Sequence, residues 1–230
     1  MKTLRISLLF ICTFFLNVSG QNVSVLKDSV CVSNSCFELQ ELKIGDHKGT
    51  AIYQQIQKKG DLFNGVLFDD ATKRLKAKKD TLNNLISKNL LQESQYGFEK
   101  YKILYQKNEL LNVSVNIQAY GSSFEQTQYY FFDLNKDAEI GKQLFINQRL
   151  LLSLCDKKIK GQQGVVFHSE NLSEYILIAD RNGKISGIRI IFHESDKEGK
   201  SNYEEYSASF TWKEIEKFIS PAYRNLLSGK

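Results

Sequence analysis

The clearest alternation of apolar and polar residues in the chain lies between Leu111 and Ala119. Apolar side chains occupy every second position there, and Asn, Ser or Gln occupies each position between them. This period of two predicts a strand with one face in the core and the other, which carries Asn112, in water. Turn formers at 120–124 and an aromatic run at 127–132 predict a return strand, and so an antiparallel hairpin.

Other apolar runs extend this antiparallel pattern. Residues 174–179 and 184–192 are joined by Asp-Arg-Asn-Gly, and Asn-Gly between apolar runs favours a tight hairpin because both residues tolerate positive φ. Alternation at 98–105 predicts a strand that leads into the first hairpin, with its tyrosines facing inward. The composition of residues 205–210 predicts a closing strand.

Apolar residues at three-to-four spacing predict two helices before the central hairpin. A short helix is expected over residues 48–57, and Asp70 is a suitable N-cap for a longer one. We expect the apolar face of the longer helix to be formed by Leu75, Leu82, Leu85, Ile86 and Leu90. Its lysines should lie on the solvated outer face: Lys73, Lys76, Lys78 and Lys79.

Three more helices are predicted in the C-terminal half. Asn147 can cap a helix whose apolar side consists of Leu150, Leu151, Leu154, Cys155 and Ile159. Thr211 and Glu214 have the spacing of a capping box, and Pro221 suits the first position of a terminal helix. Together the elements predict an α+β fold, in which helices pack on one face of an antiparallel sheet of hairpins.

Residues 1–20 are typical of a secretory signal peptide. Two basic residues precede an apolar core from Leu8 to Leu16, and small residues precede a cleavage near Gln21. The apolar run is shorter than the roughly 20 residues needed to cross a bilayer, which disfavours a membrane anchor. We therefore expect a periplasmic or secreted protein, with residues 21–230 as a single domain because no Pro-rich or Gly/Ser-rich linker interrupts them.

The charge pattern argues against nucleic acid as a partner. Residues 1–20 carry two basic and no acidic side chains, so the net charge falls from +5 to +3 when they are removed. The lysines are scattered among acidic residues instead of forming a stripe. A mixed, solvated surface is the expected consequence.

Cys31 and Cys36 lie in a region, 21–45, that is expected to form N-terminal strands around a cysteine loop. Four residues with turn-forming character separate them, and disulfides persist in exported proteins, so we predict a bond between them. A zinc site is disfavoured because no second ligand pair follows. Cys155, on an apolar helix face, is expected to be a buried free thiol.

No catalytic motif stands out in the sequence. There is no G-x-S-x-G run and no glycine-rich phosphate loop. His168 and His193 lie near carboxylates, which leaves open a metal site built from two loops, although the spacing matches no known ligand motif. No cofactor is predicted, and the pattern favours a non-enzymatic protein.

Aromatic residues are the more suggestive candidates for ligand binding. Tyr129, Tyr130, Phe131 and Phe132 are consecutive, so two of them must point to each face of the sheet. Exposed aromatics on a rigid sheet can bind sugars, peptides or proteins, and we name Tyr120, Phe124, Tyr129 and Tyr130 as candidates. The alternative, that the helix after Asn147 covers this face, remains open.

Three sequons begin at Asn22, Asn112 and Asn171. They matter only if the source glycosylates such sites, and Asn112 is expected to face solvent.

The segments SVNIQAYGSSFEQTQYYFFDL and FTWKEIEKFISPAYRNLL resemble the extracytoplasmic α+β domain at the C-terminus of lysozyme-sensing anti-sigma factors and of some peptidoglycan deacetylases. The likeness covers about half of the chain after residue 20. Many members of that family carry a Gly-Gly-Ala-His turn where this chain has Gly121-Ser-Ser-Phe124, so any role of that histidine does not carry over. The resemblance implies an exported domain of binding type that acts at the cell envelope.

These inferences lead to two hypotheses of different class. The first is an exported, non-enzymatic binding module for a protein or a cell-wall glycan, using the sheet face or the loops at 120–126 and 194–202. An inhibitor or immunity protein that neutralises a secreted toxin or a lytic enzyme is one form of it. The second is a metal-dependent envelope hydrolase that uses His168 and His193.

Overall fold

The computed structural model describes residues 23–32, 34–45, 50–123, 125–159, 167–193 and 205–228, so the predicted signal peptide and the 194–202 loop lie outside them. The strands are β1 (Val23–Val32), β2 (Ser35–Ile44), β3 (Gly97–Lys107), β4 (Leu110–Ala119), β5 (Glu125–Asp133), β6 (Ala138–Glu139), β7 (Tyr175–Ala179), β8 (Ile185–His193) and β9 (Glu205–Thr211). The helices are α1 (Thr50–Gly60), α2 (Ala71–Ser87), α3 (Leu91–Ser94), α4 (Gln148–Lys158), α5 (Trp212–Ile215) and α6 (Pro221–Ser228). Short 3-10 segments occur at Gly141–Leu144, Ser169–Ser173 and Glu216–Phe218. Among these helices none combines the length and apolarity that spanning a membrane requires.

The predicted α+β class and the antiparallel pairing are confirmed. The strands are divided among three sheets: the hairpin β1–β2, a central sheet in the order β3-β4-β5-β6, and a third sheet in the order β7-β8-β9. Every strand pair is antiparallel. The central sheet lies between the other two, and its two faces are covered by different layers.

One face of the central sheet, called the front face here, carries the apolar side chains of β4. Leu111, Val113 and Val115 pack there with Tyr130 and Phe132 against side chains from β2 and α1, namely Leu42, Ile44, Ile52 and Ile56. Helix α2 lies farther along the same side and covers the β1–β2 hairpin through Leu75 and Leu82. The period-two pattern therefore identified the strand and its inward face correctly.

On the opposite face, called the back face, the structure differs from the expectation that the polar positions of β4 face water. Asn112 is fully buried, and its side-chain Nδ2 donates to the carbonyls of Tyr130 (2.8 Å) and Tyr175 (3.1 Å). Its Oδ1 accepts from the backbone N–H of Leu177 at 2.9 Å. The carbonyl of residue 175 and the N–H of residue 177 are the groups that β7 would offer to a neighbouring strand, so one carboxamide stands in for a peptide group and joins the two sheets.

A buried Asn112 also changes the interpretation of its sequon. The side-chain nitrogen has two carbonyl partners in the folded chain, so a glycan cannot be accommodated there. Asn171, in contrast, is only partly buried, and Asn22 lies outside the described range.

The third sheet and the C-terminal helices form the largest apolar core. Ile188, Ile190 and Phe192 of β8 pack with Leu151 and Cys155 of α4 and with further residues of the closing helices: Ile215, Phe218, Ile219 and Leu227. Cys155 is the buried free thiol that was predicted, and burial raises its pKa to about 12. Helix α4 packs against β9 and the Ser169–Ser173 segment, and its Leu151 and Cys155 belong to the same core as Phe131 of β5.

Three local signals in the sequence are confirmed with some changes of detail. Asp70 caps α2 by accepting from the N–H of Lys73 at 2.8 Å, and Thr211 with Glu214 forms the capping box. Asn147 precedes α4 but does not cap it with its side chain, because it sits in the left-handed region at φ 50°. The β7–β8 turn forms as predicted, yet only Gly183 has positive φ, and the Asp180 carboxylate accepts from the N–H groups of Asn182 and Lys184.

The N-terminal hairpin contains the predicted disulfide. Cys31 and Cys36 are directly paired across β1 and β2, with their Cα atoms 4.1 Å apart. The bond lies near the exposed tip of the hairpin, beside Val32, which is 40% exposed. The tip therefore projects beyond the layer covered by α2.

Candidate functional site

Of the four aromatic candidates, Tyr120 alone is placed by the described structure on an accessible concave surface. It follows β4 and lines a groove of about 400 Å³ between the hairpin tip, the α2–α3 connection and the β4–β5 turn. The lining residues are Val32, Ser35, Phe37, Ile86, Asn89, Leu91, Gln92 and Tyr120. A volume of this size is within the range of about 300–1,000 Å³ that is usual for small-ligand sites.

Tyr129 and Tyr130 are corrected as ligand-binding candidates, because both are buried. Tyr130 is 1% exposed on the front face, where its ring is stacked against Phe132 at 5.6 Å. Tyr129 is 9% exposed on the back face, and its hydroxyl donates to Glu205 at 3.1 Å. Both faces of β5 are covered by other elements, so its aromatic run serves as core. Phe124 lies outside the described residues.

Ring contacts fix the aromatic wall of the Tyr120 groove. The ring of Phe37 meets Tyr120 edge-on, with 5.8 Å between centroids, and is stacked against Phe98 at the same separation. Phe98 is held in turn by Tyr96, whose centroid is 5.0 Å away. Offset and edge-on aromatic pairs of this kind restrict the rings to one arrangement, so the wall is set before any ligand arrives.

The C-terminus of α2 positions Asn89 on the polar side of the groove. At the end of α2, the N–H of Asn89 donates to the carbonyl of Ile86, and the N–H of Leu90 donates to that of Leu85. This is a Schellman motif, and Asn89 occupies its left-handed position at φ 56°. The motif uses backbone groups alone, which leaves the Asn89 carboxamide at the groove.

Little in the sequence could have revealed the groove. Tyr120 was noticed because it flanks a turn, but its partners Val32, Phe37, Asn89 and Gln92 come from segments 28–88 residues away in the chain. None belongs to a motif. Only the packing of the hairpin against α2 brings them to one place.

The two histidines named for a metal site make separate local contacts. His168 precedes the Ser169–Ser173 segment, and its N–H donates to the Asn171 side chain at 2.8 Å. His193 lies at the end of β8, with its Nε2 at 3.2 Å from a carboxylate oxygen of Glu174. No cluster of three or more potential metal ligands occurs within the described ranges. The hydrolase hypothesis therefore gains no support from these two residues.

The Glu174 contact has an electrostatic consequence for His193. The hydrogen bond to the carboxylate raises the pKa of this imidazole above its usual value, and the charge of Glu205 on the adjacent strand acts in the same direction. Half-buried His193 therefore links β8 to the segment before β7. The contact with Glu174 joins two neighbouring elements and becomes an ion pair when the imidazole is protonated.

A group of charged side chains that the sequence did not predict lies fully buried between α2, β2 and the central sheet. Arg74 and Lys78 of α2 each contact both Glu41 of β2 and Glu99 of β3, with N–O distances of 2.6–2.7 Å. All four side chains are at most 2% exposed. Lys78 was predicted on the outer face of the helix, and the structure corrects this because Lys78 lies four residues after Arg74 and so shares its inward side.

Further hydrogen bonds connect this ion cluster to neighbouring groups. Lys78 donates to the carbonyl of Gln40 at 2.6 Å, and the hydroxyl of Tyr101 donates to Glu99 at 3.0 Å. Burial alone raises the pKa of Glu99, but Lys78 and Arg74 outweigh it and lower the pKa to about 2. Two cations thus balance two anions in a part of the protein that solvent does not reach. The cluster joins α2, β2 and β3 and presents no reactive group.

Comparison with known proteins bears on the fold. No protein-family model matches the sequence, and no curated protein matches it. Among solved structures, the chain is similar to a DUF3298 family member from Bacteroides fragilis, with a TM-score of 0.53 and 11% identity over 92% of this chain and 99% of that one. A DUF3298 family protein from Pseudomonas aeruginosa gives a TM-score of 0.49 and 10% identity, over 91% and 98%. The likeness to the Bacteroides fragilis protein shows a shared fold along nearly all of both chains.

Proposed function

We propose that this protein is an exported, non-enzymatic binding module that acts at the cell envelope and holds a cell-wall ligand in the Tyr120 groove. The observation that carries the proposal is the groove itself, since it is concave, aromatic and rigid-walled. Preformed concave sites with aromatic walls and a few polar groups are where proteins usually bind ligands.

Two features of the sequence support the choice of compartment. Residues 1–20 have the pattern of a secretory signal, and the Cys31–Cys36 disulfide is of a kind that persists in oxidising compartments. The resemblance of residues 114–134 and 210–227 to the extracytoplasmic domain of anti-sigma factors and peptidoglycan deacetylases points the same way. The shared fold with a DUF3298 protein is compatible with that resemblance and adds no activity.

The test is co-sedimentation of the purified protein with purified cell-wall sacculi. We expect the protein to pellet with sacculi and the Tyr120→Ala variant to lose at least tenfold in apparent affinity, because the aromatic wall of the groove is removed. Leu150→Ala is the matched control, since Leu150 is 57% exposed on α4 and does not line the groove. Circular dichroism of each variant checks that the fold is intact.

Two results would contradict the proposal. One is a protein that remains in the supernatant with sacculi; capture of a defined envelope enzyme that this protein inhibits would then favour the inhibitor form of a binding module. The other is equal sedimentation of the Tyr120→Ala variant and the unmodified protein, which would remove the groove from the function.

A further inference from the structure

The lining of the Tyr120 groove carries no charge. Five of its residues are apolar or aromatic, and the remaining three are Ser35, Asn89 and Gln92. A charged ligand would lose hydration on entering and gain no opposite charge in return, which is costly. The groove therefore selects for an uncharged ligand.

The three neutral polar side chains are available for hydrogen bonding. Within the described parts of the chain, none of Ser35, Asn89 and Gln92 has a side-chain hydrogen bond to another residue. Each can both donate and accept, as can a sugar hydroxyl or an N-acetyl group. A purely hydrocarbon ligand would leave these groups without partners if it displaced their water, which disfavours it.

The aromatic wall supplies the complementary surface. Tyr120 is edge-on to Phe37, and this contact favours the ring arrangement that forms the wall. The electron-rich face of an aromatic ring attracts weakly positive C–H groups, and a pyranose ring presents a row of such groups on one side. A rigid ring beside several neutral donor–acceptor groups fits a neutral sugar better than a peptide.

We infer that the ligand of the Tyr120 groove is an uncharged glycan, in which a sugar ring stacks on Tyr120 and its substituents hydrogen-bond to Asn89 and Gln92. This inference rests on the proposed function, because it assigns a chemical class to the ligand of the same groove. The peptide part of the cell wall is the competing class that the experiment must separate.

Calorimetric titration with two matched oligosaccharides tests the inference. We expect the tetramer of N-acetylglucosamine, which is neutral, to bind at least tenfold more tightly than its N-deacetylated, cationic counterpart. Tyr120→Ala should weaken binding of the neutral tetramer at least tenfold. Sacculus sedimentation is measured in parallel with the same protein samples.

A single substitution on the rim sharpens the charge argument. Asn89→Asp keeps the size of the side chain and a residue type that tolerates positive φ, but it adds a negative charge to the groove. It should weaken binding of the neutral tetramer and strengthen binding of the cationic one, reversing or narrowing the preference. Asn83→Asp, on the exposed surface of the same helix and outside the groove, should leave the preference unchanged.

The outcomes separate the two proposals. If sacculi bind in a Tyr120-dependent way but neither tetramer binds, the glycan inference is overturned and the binding function stands. Equal binding of both tetramers, or no effect of Asn89→Asp on the preference, also overturns the inference. If neither sacculi nor tetramers bind, the proposed function fails along with it.

Discussion

On its front side the central sheet is joined to the N-terminal layer partly through four buried charges, whereas on its back side it is joined to the third sheet mainly by apolar side chains, with one buried carboxamide and the hydrogen bond from Tyr129 to Glu205. The front junction has Arg74 and Lys78 facing Glu41 and Glu99. The back junction has Asn112, surrounded by residues such as Phe131 and Tyr175. Both junctions connect two layers, yet removal of a single side chain should change the stability of the protein differently at each.

The difference follows from desolvation. A buried ion pair gains little over well-packed apolar residues, because both charges have been taken out of water, but removal of one partner leaves an uncompensated charge. A buried carboxamide is neutral, so its loss leaves unpaired backbone groups and a small void. The front junction should therefore be the more fragile of the two to single substitutions, and its stability should fall in acid because the pKa of Glu99 is lowered there.

The largest expected effect is that of Lys78→Met. It should lower the free energy of unfolding by about 3–5 kcal/mol, since Glu41 and Glu99 then share one cation inside the protein. Lys76→Met is the matched control from the same helix: Lys76 is paired with Asp80 in solvent, and a change within about 0.5 kcal/mol is expected. Urea denaturation measures both variants, and equal effects would mean that the cluster has no special cost.

A smaller effect is expected for Asn112→Ala. The carbonyl of Tyr175 and the N–H of Leu177 lose their partner, which should cost about 2–4 kcal/mol. Asn116→Ala serves as control, because Asn116 lies on the same strand but bonds to side chains of Glu125 and Thr127 near the surface. A stable Asn112→Ala protein with unchanged hydrogen exchange at Leu177 would rule out the joining role of this carboxamide.

The third prediction concerns acid. The folded-state pKa of Glu99 is depressed to about 2, below the value of an unfolded chain, so its contribution is present above about pH 5 and is lost as the pH falls toward 2. The expected loss between pH 6 and pH 3 is on the order of 1–3 kcal/mol. Glu99→Gln should flatten this part of the stability curve. An unchanged curve in that variant would place the acid sensitivity in other carboxylates.

The difference between the two junctions also shows how far the sequence could be interpreted. Signals that depend on neighbours in the chain succeeded: the alternation at 111–119, the Asn182-Gly183 turn and the Thr211–Glu214 capping box. Burial by a layer that comes from a distant part of the chain was not predicted correctly. In a sequence, a polar residue on a strand looks the same whether it faces water or a second sheet, so the pattern predicts a solvent-facing Asn112. In the same way, nothing distinguishes Lys78 from the other lysines on the predicted solvated face of its helix. Both side chains are buried.

The candidate site also combines one residue that a local pattern indicates with others that only distant packing brings to it. Tyr120 could be singled out because it flanks a glycine-containing turn, whereas Asn89 becomes notable only once the end of α2 is seen beside the hairpin tip. Tyr129 and Tyr130 are buried, which the sequence does not show, because a period of two gives the face on which a side chain lies but not what covers that face.

Other carboxamides in the described part of the chain also bond to backbone groups, those of Gln40 and Gln57 among them. Gln40 accepts from the N–H of Tyr101 at the outer edge of β3, and Gln57 bonds to both the N–H and the carbonyl of Phe68. Gln40 bonds to the outer edge of β3, and Asn112 of β4 bonds to the edge of β7. A strand of another molecule could otherwise pair with these edges. Open margins of this kind are where sheets recruit one another into aggregates. The backbone groups that these carboxamides bond are no longer available to a strand of another molecule, so each carboxamide protects its strand edge from inside the protein.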